Sequence, residues 1–270
     1  MAAALRPYSR SELLEIADQL GGVYRDGEAR ILRLLGQGSI SEWKRDYLNK
    51  QLKQIETILH GLEGASRDWA ETHVPTVYLH NLRIADQALG SSMGMTAIHQ
   101  DAMSSIAQTL VQDLDHVTGG VGRAVRDVYR QATLGNIQAG LTGGETRRQV
   151  SKGIVADLQE KGVTGFTDKA GREWAMSDYA EMVARTTTRE ASWQGTANRM
   201  LEAGEDLLQI SSHARSCELC EPWQGRVVSM SGETAGYPTL AEAEGEGFGH
   251  PNCVHDLLPY VPEAAIPEGE

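Results

Sequence analysis

Apolar residues recur every three or four positions along most of the first two hundred residues, the spacing that lines one face of an α-helix. Leu13, Ile16, Ala17, Leu20, Val23, Tyr24, Ile31, Leu34 and Leu35 form the first stripe, and Ser9 with Glu12 gives a capping box at its start. Glycines 36 and 38 end it. A second helix is predicted to start at Ser39 and Glu42, to carry Trp43, Tyr47, Leu48, Leu52, Ile55, Leu59 and Leu62 on one face, and to stop at Gly61 and Gly64. The two read as an antiparallel hairpin. Pro75 lacks a helical donor and predicts a kink or restart. The pattern resumes from residue 76, breaks over 90–95 and runs again over 97–141, where Gly119, Gly120 and Gly122 predict a joint. A further amphipathic helix is predicted over 146–161.

The period then changes. Turn residues at 168–171 between flanks holding Phe166 and Trp174 predict a small hairpin, and Ser177 or Asp178 is placed to cap a helix that Gly204 closes. Beyond Gly204 the helical spacing is lost. Residues 206–211 and 226–231 are strand candidates, whereas 231–249 are glycine-rich, acidic and too poor in apolar side chains to build a core alone.

Charge sharpens this division. The net charge is −12, and residues 201–270 carry 13 acidic side chains against Arg215 and Arg226. Nearly all the excess thus sits in the last quarter, which repels phosphate backbones, so autonomous nucleic-acid binding there is not expected. Docking on a basic protein surface is the sharper expectation, solvation of a loop-rich module the plainer one. No run approaches the length needed to span a bilayer, and the first twenty residues turn charged too early for a secretory signal, so synthesis in a cytoplasm is expected.

There are three cysteines, all within residues 217–253. An odd count in a reducing compartment argues against a disulfide framework and leaves metal or catalysis. Cys217 and Cys220 are separated by two residues, as are His250 and Cys253, and two such tight turns are a common way to supply four ligands to a structural zinc ion. Closing that ring would staple the 29 residues between Cys220 and His250. His255 competes with the preferred His250 for the fourth position, and His213 is placed to join a variant set or to support a ligand. A redox pair is disfavoured because no helix follows Cys220. A nucleophilic Cys253 with His213 as base stays open, since spatial proximity is not legible in sequence. Arg185, Thr188, Arg189 and Ser192 share a helical face, either partly exposed or docking the metal module. The expected fold is therefore mainly α: long N-terminal helices followed by a small α+β module with a zinc-stapled C-terminal region.

The ordered series "DKAGR" at 168–172, "ART" at 184–186, "CELCEPWQG" at 217–225 and "HPNCVH" at 250–255 resembles tailed-phage minor capsid proteins of the head-morphogenesis class, including the minor capsid protein 2 family. The matching positions are Asp168, Gly171, Arg172, Arg185, Thr186, His213, Cys217, Cys220, Gln224, Gly225, His250, Asn252, Cys253 and His255. Val254 stands where the family usually has arginine. The resemblance implies a non-enzymatic virion protein, placed near the portal vertex in the capsid, that assists head assembly, DNA packaging or delivery with portal or major capsid protein as partner. The resemblance covers about residues 140–262 and extends diffusely back to Val74, leaving the first 65 residues unassigned; the expected organisation is a helical assembly region over 1–140, a head-morphogenesis module over 141–262 and an acidic tail over 263–270. The rival expectation is a thiol hydrolase or toxin-like factor acting in the host through Cys253, His213 and His255.

Overall fold

Ser9 and Glu12 exchange the two bonds of a capping box: the Ser9 N–H donates to Glu12 Oε2 at 2.6 Å and the Glu12 N–H to Ser9 Oγ at 3.3 Å. Helix α1 (Arg10–Gly36) follows, burying Ala17, Leu20, Tyr24 and Ile31, while Val23 faces outward at 43% exposure. The computed structural model describes residues 5–36, 45–142, 165–168, 171–214, 216–251 and 253–262. The start predicted at Ser39 and Glu42 and the helix predicted over 146–161 lie outside them.

Helix α2 (Arg45–Ala88) runs for 44 residues without stopping at Gly61 or Gly64 and without restarting at Pro75. The carbonyl that loses its donor to Pro75 belongs to Glu71, an exposed residue, while Val74, Val77 and Tyr78 are buried and hold the chain helical. Helix α3 (Ala97–Thr142) likewise passes through Gly119, Gly120 and Gly122 with no joint. Its buried stripe of Leu114, Val117, Val121 and Val125 crosses the glycines, and a Cβ at Gly122 would sit 3.3 Å from Leu59 Cδ1. That glycine permits close helix packing. The break expected over 90–95 is present, with Gly90 at a φ of +62°.

After the hairpin of β1 (Gly165–Thr167) and β2 (Glu173–Ala175), helix α4 (Met176–Glu202) leads to β3 (Leu207–Ile210). A short 3-10 turn (Glu221–Trp223), β4 (Val227–Ser229), α5 (Leu240–Gly245) and β5 (Leu257–Pro259) complete the described chain. Helices predominate, as expected. The chain divides into two compact units, and each of the four long helices has residues in both.

The first unit comprises Asp18–Trp69 and Thr109–Val183. Here α1 and α2 are antiparallel: Tyr24 Oη meets Ser66 Oγ at 2.8 Å and Gln51 Nε2 donates to the Leu34 carbonyl at 2.8 Å. The α2–α3 pair is antiparallel too, with Tyr129 Oη donating to Gln51 at 3.2 Å and Arg67 to Asp115 at 3.3 Å. The β1–β2 hairpin pairs Phe166 with Trp174, and the Asp168 carboxylate accepts from Arg172 Nε at 2.7 Å and Trp174 Nε1 at 3.0 Å. Neither Ser177 nor Asp178 caps α4. Glu28 of α1 does, accepting from the Ser177 N–H at 3.1 Å and hydroxyl at 2.6 Å.

The second unit comprises Met1–Ala17, Ala70–Gln108 and Ala184–Glu270. Its antiparallel sheet has the order β4-β3-β5, pairing Leu208 with Val228 and Gln209 with Leu258. Both predicted strands form; β5 was not foreseen. Gly195 of α4 lies so close to α2 that an added Cβ would stand 2.3 Å from the Tyr78 carbonyl oxygen. Near the end of α4, the buried Arg199 ion-pairs with Asp86 at 3.0 Å and Glu202 at 2.7 Å and donates to the carbonyls of Met93 and Gly94, tying down the α2–α3 connection.

The acidic stretch after β4 is better packed than its composition suggests. Thr239 and Glu242 form a capping box for α5, and Ala243 and Phe248 enter a core with Trp193, Ile210, Trp223 and Leu257. The expectation that this stretch lacks packing of its own is therefore corrected: two apolar side chains and a helix cap anchor it.

Candidate metal centre

Two turns of the same kind bring the cysteines and histidines together. In the first, the Cys217 carbonyl accepts from the N–H groups of Cys220 at 3.1 Å and Glu221 at 2.9 Å, and Pro222 lies within the 3-10 turn that begins at Glu221 and ends at the buried Trp223. In the second, the His250 carbonyl accepts from the Cys253 N–H at 2.9 Å. Each turn folds back across two intervening residues and brings its end side chains toward the other turn. The five predicted ligands fall into two compact donor groups, Cys217, Cys220 and His250 in one and Cys220, Cys253 and His255 in the other, sharing Cys220.

The distances are short. Cys217 Sγ is 3.0 Å from His250 Nε2, Cys220 Sγ 3.7 Å from Cys253 Sγ, and Cys253 Sγ 3.5 Å from His255 Nδ1. His250 Nδ1 donates to the Pro251 carbonyl at 2.7 Å, which leaves Nε2 as the free lone pair facing Cys217. His255 is buried, with its other nitrogen 3.4 Å from Ser216 Oγ. Cys220 is buried and Cys217 exposed.

Electrostatics distinguish these groups. Burial, with Cys217 and Cys253 close by, pushes the Cys220 thiol up to about 12. Burial also acts to raise Cys217, but the Cys220 N–H and the His250 imidazole outweigh it and hold that thiol at about 7. Burial first, then His213 and His250, bring His255 down to about 4, so its ring is neutral near neutral pH. Three sulfurs and two neutral-capable imidazoles suit a borderline-soft divalent cation.

Helix α4 carries the frame. Arg189 Nη1 donates to the His250 carbonyl at 2.6 Å, Ser192 Oγ to Asp256 Oδ1 at 2.7 Å, and Trp193 Nε1 to the His255 carbonyl at 3.0 Å. Of the two readings of this helical face, docking of the Cys/His module is the one observed. Trp193 also stacks on Phe248, ring centroids 5.2 Å apart, and a Cβ at Gly249 would come within 3.0 Å of its ring. With φ at +77°, Gly249 is required both for the turn and for the approach.

His213 does not bond a sulfur among the described residues. Its ring lies edge-on to His255 at 5.1 Å, its Nε2 is 3.0 Å from Ser211 Oγ, and its N–H donates to Gln224 Oε1 at 2.6 Å. It supports a donor instead of supplying one. Asn252 is outside the described residues. Trp193, Phe248 and Asp256 were missed by sequence reasoning. The Asp256 carboxyl, buried and raised to about 6 by that burial, had one weak signal, its place directly after His255. Beside the cluster lies a cavity of about 220 Å³ whose walls include Tyr8, Leu13, Arg189, His213, Cys253 and Asp256.

The fold is mainly helical and carries Cys/His groups close enough to hold a metal ion, with no helix among the described residues long and apolar enough to cross a membrane. The profile of the family described as Phage minor capsid protein 2 matches residues 10–270, and the chain belongs to that family. A curated protein named "Structural protein" from Lactococcus phage LL-H is 28% identical over 263 residues, covering 88% of this chain and 67% of that protein. No solved structure is significantly similar.

Proposed function

We propose that this chain is a non-enzymatic minor capsid subunit of a phage virion, and that Cys217, Cys220 and Cys253 with His250 or His255 bind one structural zinc ion. The observation that carries the second part is the gathering of five donors into two compact groups that share Cys220. A tetrahedral ion bonded to sulfur at ~2.3 Å and to imidazole at ~2.0 Å holds two sulfurs about 3.8 Å apart and a sulfur and nitrogen about 3.5 Å apart. The Cys220–Cys253 and Cys253–His255 separations, 3.7 and 3.5 Å, match those edges. The Cys217–His250 separation, 3.0 Å, is shorter and suits a hydrogen bond, whereas the Pro251 carbonyl orients His250 as a ligand. Both histidines therefore stay in the set.

Zinc would supply the bonds that close the segment between the two turns. The chain's own residues do the rest: α4 fixes the second turn, Phe248 and Trp223 pack with Cys220 and Cys253, and His213 braces His255. In this reading the helical residues 1–140 contact portal or major capsid protein near the portal vertex. The acidic module within 141–262 docks on protein and not on DNA, and the subunit assists head assembly, packaging or delivery. Family membership supports the capsid role. Finding the protein in purified virions tests it, and its absence from them would overturn it. A nucleophilic Cys253 is disfavoured because its sulfur is shared with Cys220 at 3.7 Å.

A further inference from the structure

We propose that Arg189 is the counter-charge of the Cys/His cluster, a positioning residue that favours the metal-bound thiolates through its charge without coordinating the ion. This rests on the zinc reading above. Three thiolates and a neutral imidazole around a divalent ion leave one net negative charge, at a cluster in which Cys220 and His255 are buried and Cys217 is exposed. A single fixed positive charge would balance it.

Arg189 meets that description. Its guanidinium lies 5.1 Å from the Trp193 ring centre, its Nη1 is bonded to the His250 carbonyl at 2.6 Å, and it shares the wall of the 220 Å³ cavity with Cys253. Its Nε is buried without a protein partner. Among the described residues no carboxylate stands within ion-pair distance of it. The fully buried Arg199, by contrast, has two, Asp86 and Glu202. A half-buried guanidinium without a carboxylate partner is available to another anion. Its charged surroundings hold Glu190 and Glu244, neither within ion-pair distance, and the sulfurs of Cys253 and Cys220. Glu190 is itself engaged by Gln194 at 3.1 Å and, like Arg189, penalised by burial. The thiolates are the group that becomes fully charged only when metal binds, so the charge of Arg189 is worth most in the loaded state. A side chain serving only to dock α4 on the second turn would need its hydrogen bond to His250 and not its charge.

The test separates those two roles in the full-length protein. Zinc affinity is measured by chelator competition for the wild type, Arg189→Gln, Arg189→Lys and Ser192→Ala, with the Co²⁺ absorption spectrum reporting coordination geometry. Gln keeps a donor for the His250 carbonyl but loses the charge; Lys keeps the charge. The expected result is affinity about 10–100-fold weaker for Arg189→Gln with an unchanged tetrahedral Co²⁺ spectrum. Arg189→Lys is expected to lie close to the wild type, and Ser192→Ala, which loosens the dock without changing charge, also close to it. Equal affinities for Arg189→Gln and the wild type, or equal losses for Gln and Lys, would overturn the proposal while leaving the clamp standing. A wild type that binds no zinc would overturn both.

Discussion

Trp193 Nε1 donates to the carbonyl of His255 at 3.0 Å while the face of the same indole stacks on Phe248, so one side chain of α4 fixes both ends of the segment that carries the second pair of donors. Trp193→Ala removes the stack, the hydrogen bond and a buried aromatic volume at once. The expected loss is about 3–5 kcal/mol, read as a shift of the unfolding midpoint in denaturant. Trp193→Phe, which keeps most of the stack, should cost roughly 1–2 kcal/mol. Equal effects from the two variants would show that the indole N–H, and not packing, carries the contact.

Gly195 gives a test whose sign is diagnostic. In an exposed helix interior, Gly→Ala stabilises by roughly 1 kcal/mol. Here the new Cβ would stand 2.3 Å from the Tyr78 carbonyl oxygen, an atom that cannot swing aside. Gly195→Ala is therefore expected to destabilise by about 1–3 kcal/mol, seen as a lower Tm, whereas Gly61→Ala, with nothing near its Cβ, should raise it slightly.

The start of α1 should respond to acid. Arg6, then the Ser9 hydroxyl and N–H, hold the Glu12 carboxyl down to about 2. A carboxyl lowered in the folded state contributes stability above its unfolded value near 4.5 and loses it as pH falls toward about 2. Amide exchange over the first turn of α1 is expected to rise across that window, and Glu12→Gln should remove the pH dependence. Glu12 lies at the surface at the first turn of α1, so the effect is local fraying. An exchange profile independent of pH, after correction for intrinsic rates, would contradict the capping role.

Much of this architecture was legible in the sequence where the signal is local and chemical. Ser9 with Glu12, the Asp168 turn and the two Cys/His spacings each work over three or four residues, and each is found in the structure. Failures came where packing overruled a local breaker. Gly122 and Pro75 look like interruptions until Leu59 and the Val74–Val77–Tyr78 face are seen beside them. The cap on α4 was misassigned because its donors are satisfied by Glu28, 149 residues away, which no local pattern encodes. Thr239 and Glu242 did carry a legible capping box, hidden by the glycine-rich surroundings. At the metal centre the donors were legible, but their support was not: Trp193, Asp256 and Phe248 acquire their roles only through contacts between α4 and the 248–256 segment.

The nucleophile reading and the clamp reading part at the cysteines. Under the clamp, Cys217→Ser and Cys253→Ser each remove a ligand and should weaken metal binding and destabilise the module to similar degrees, measured by protease susceptibility of the region after Gly204. Under catalysis, Cys253→Ser would leave the fold and metal content untouched.

The central claim is tested most directly by metal analysis of the full-length protein, purified without added metal, beside its Cys220→Ser variant. Cys220 belongs to both compact donor groups, so its loss cannot be compensated by exchanging His250 for His255. The account predicts about one zinc per wild-type chain, near none in Cys220→Ser, and a protease-sensitive segment between the two turns once zinc is removed. A wild-type protein free of zinc, or one whose chelated form keeps that segment protected, would contradict it.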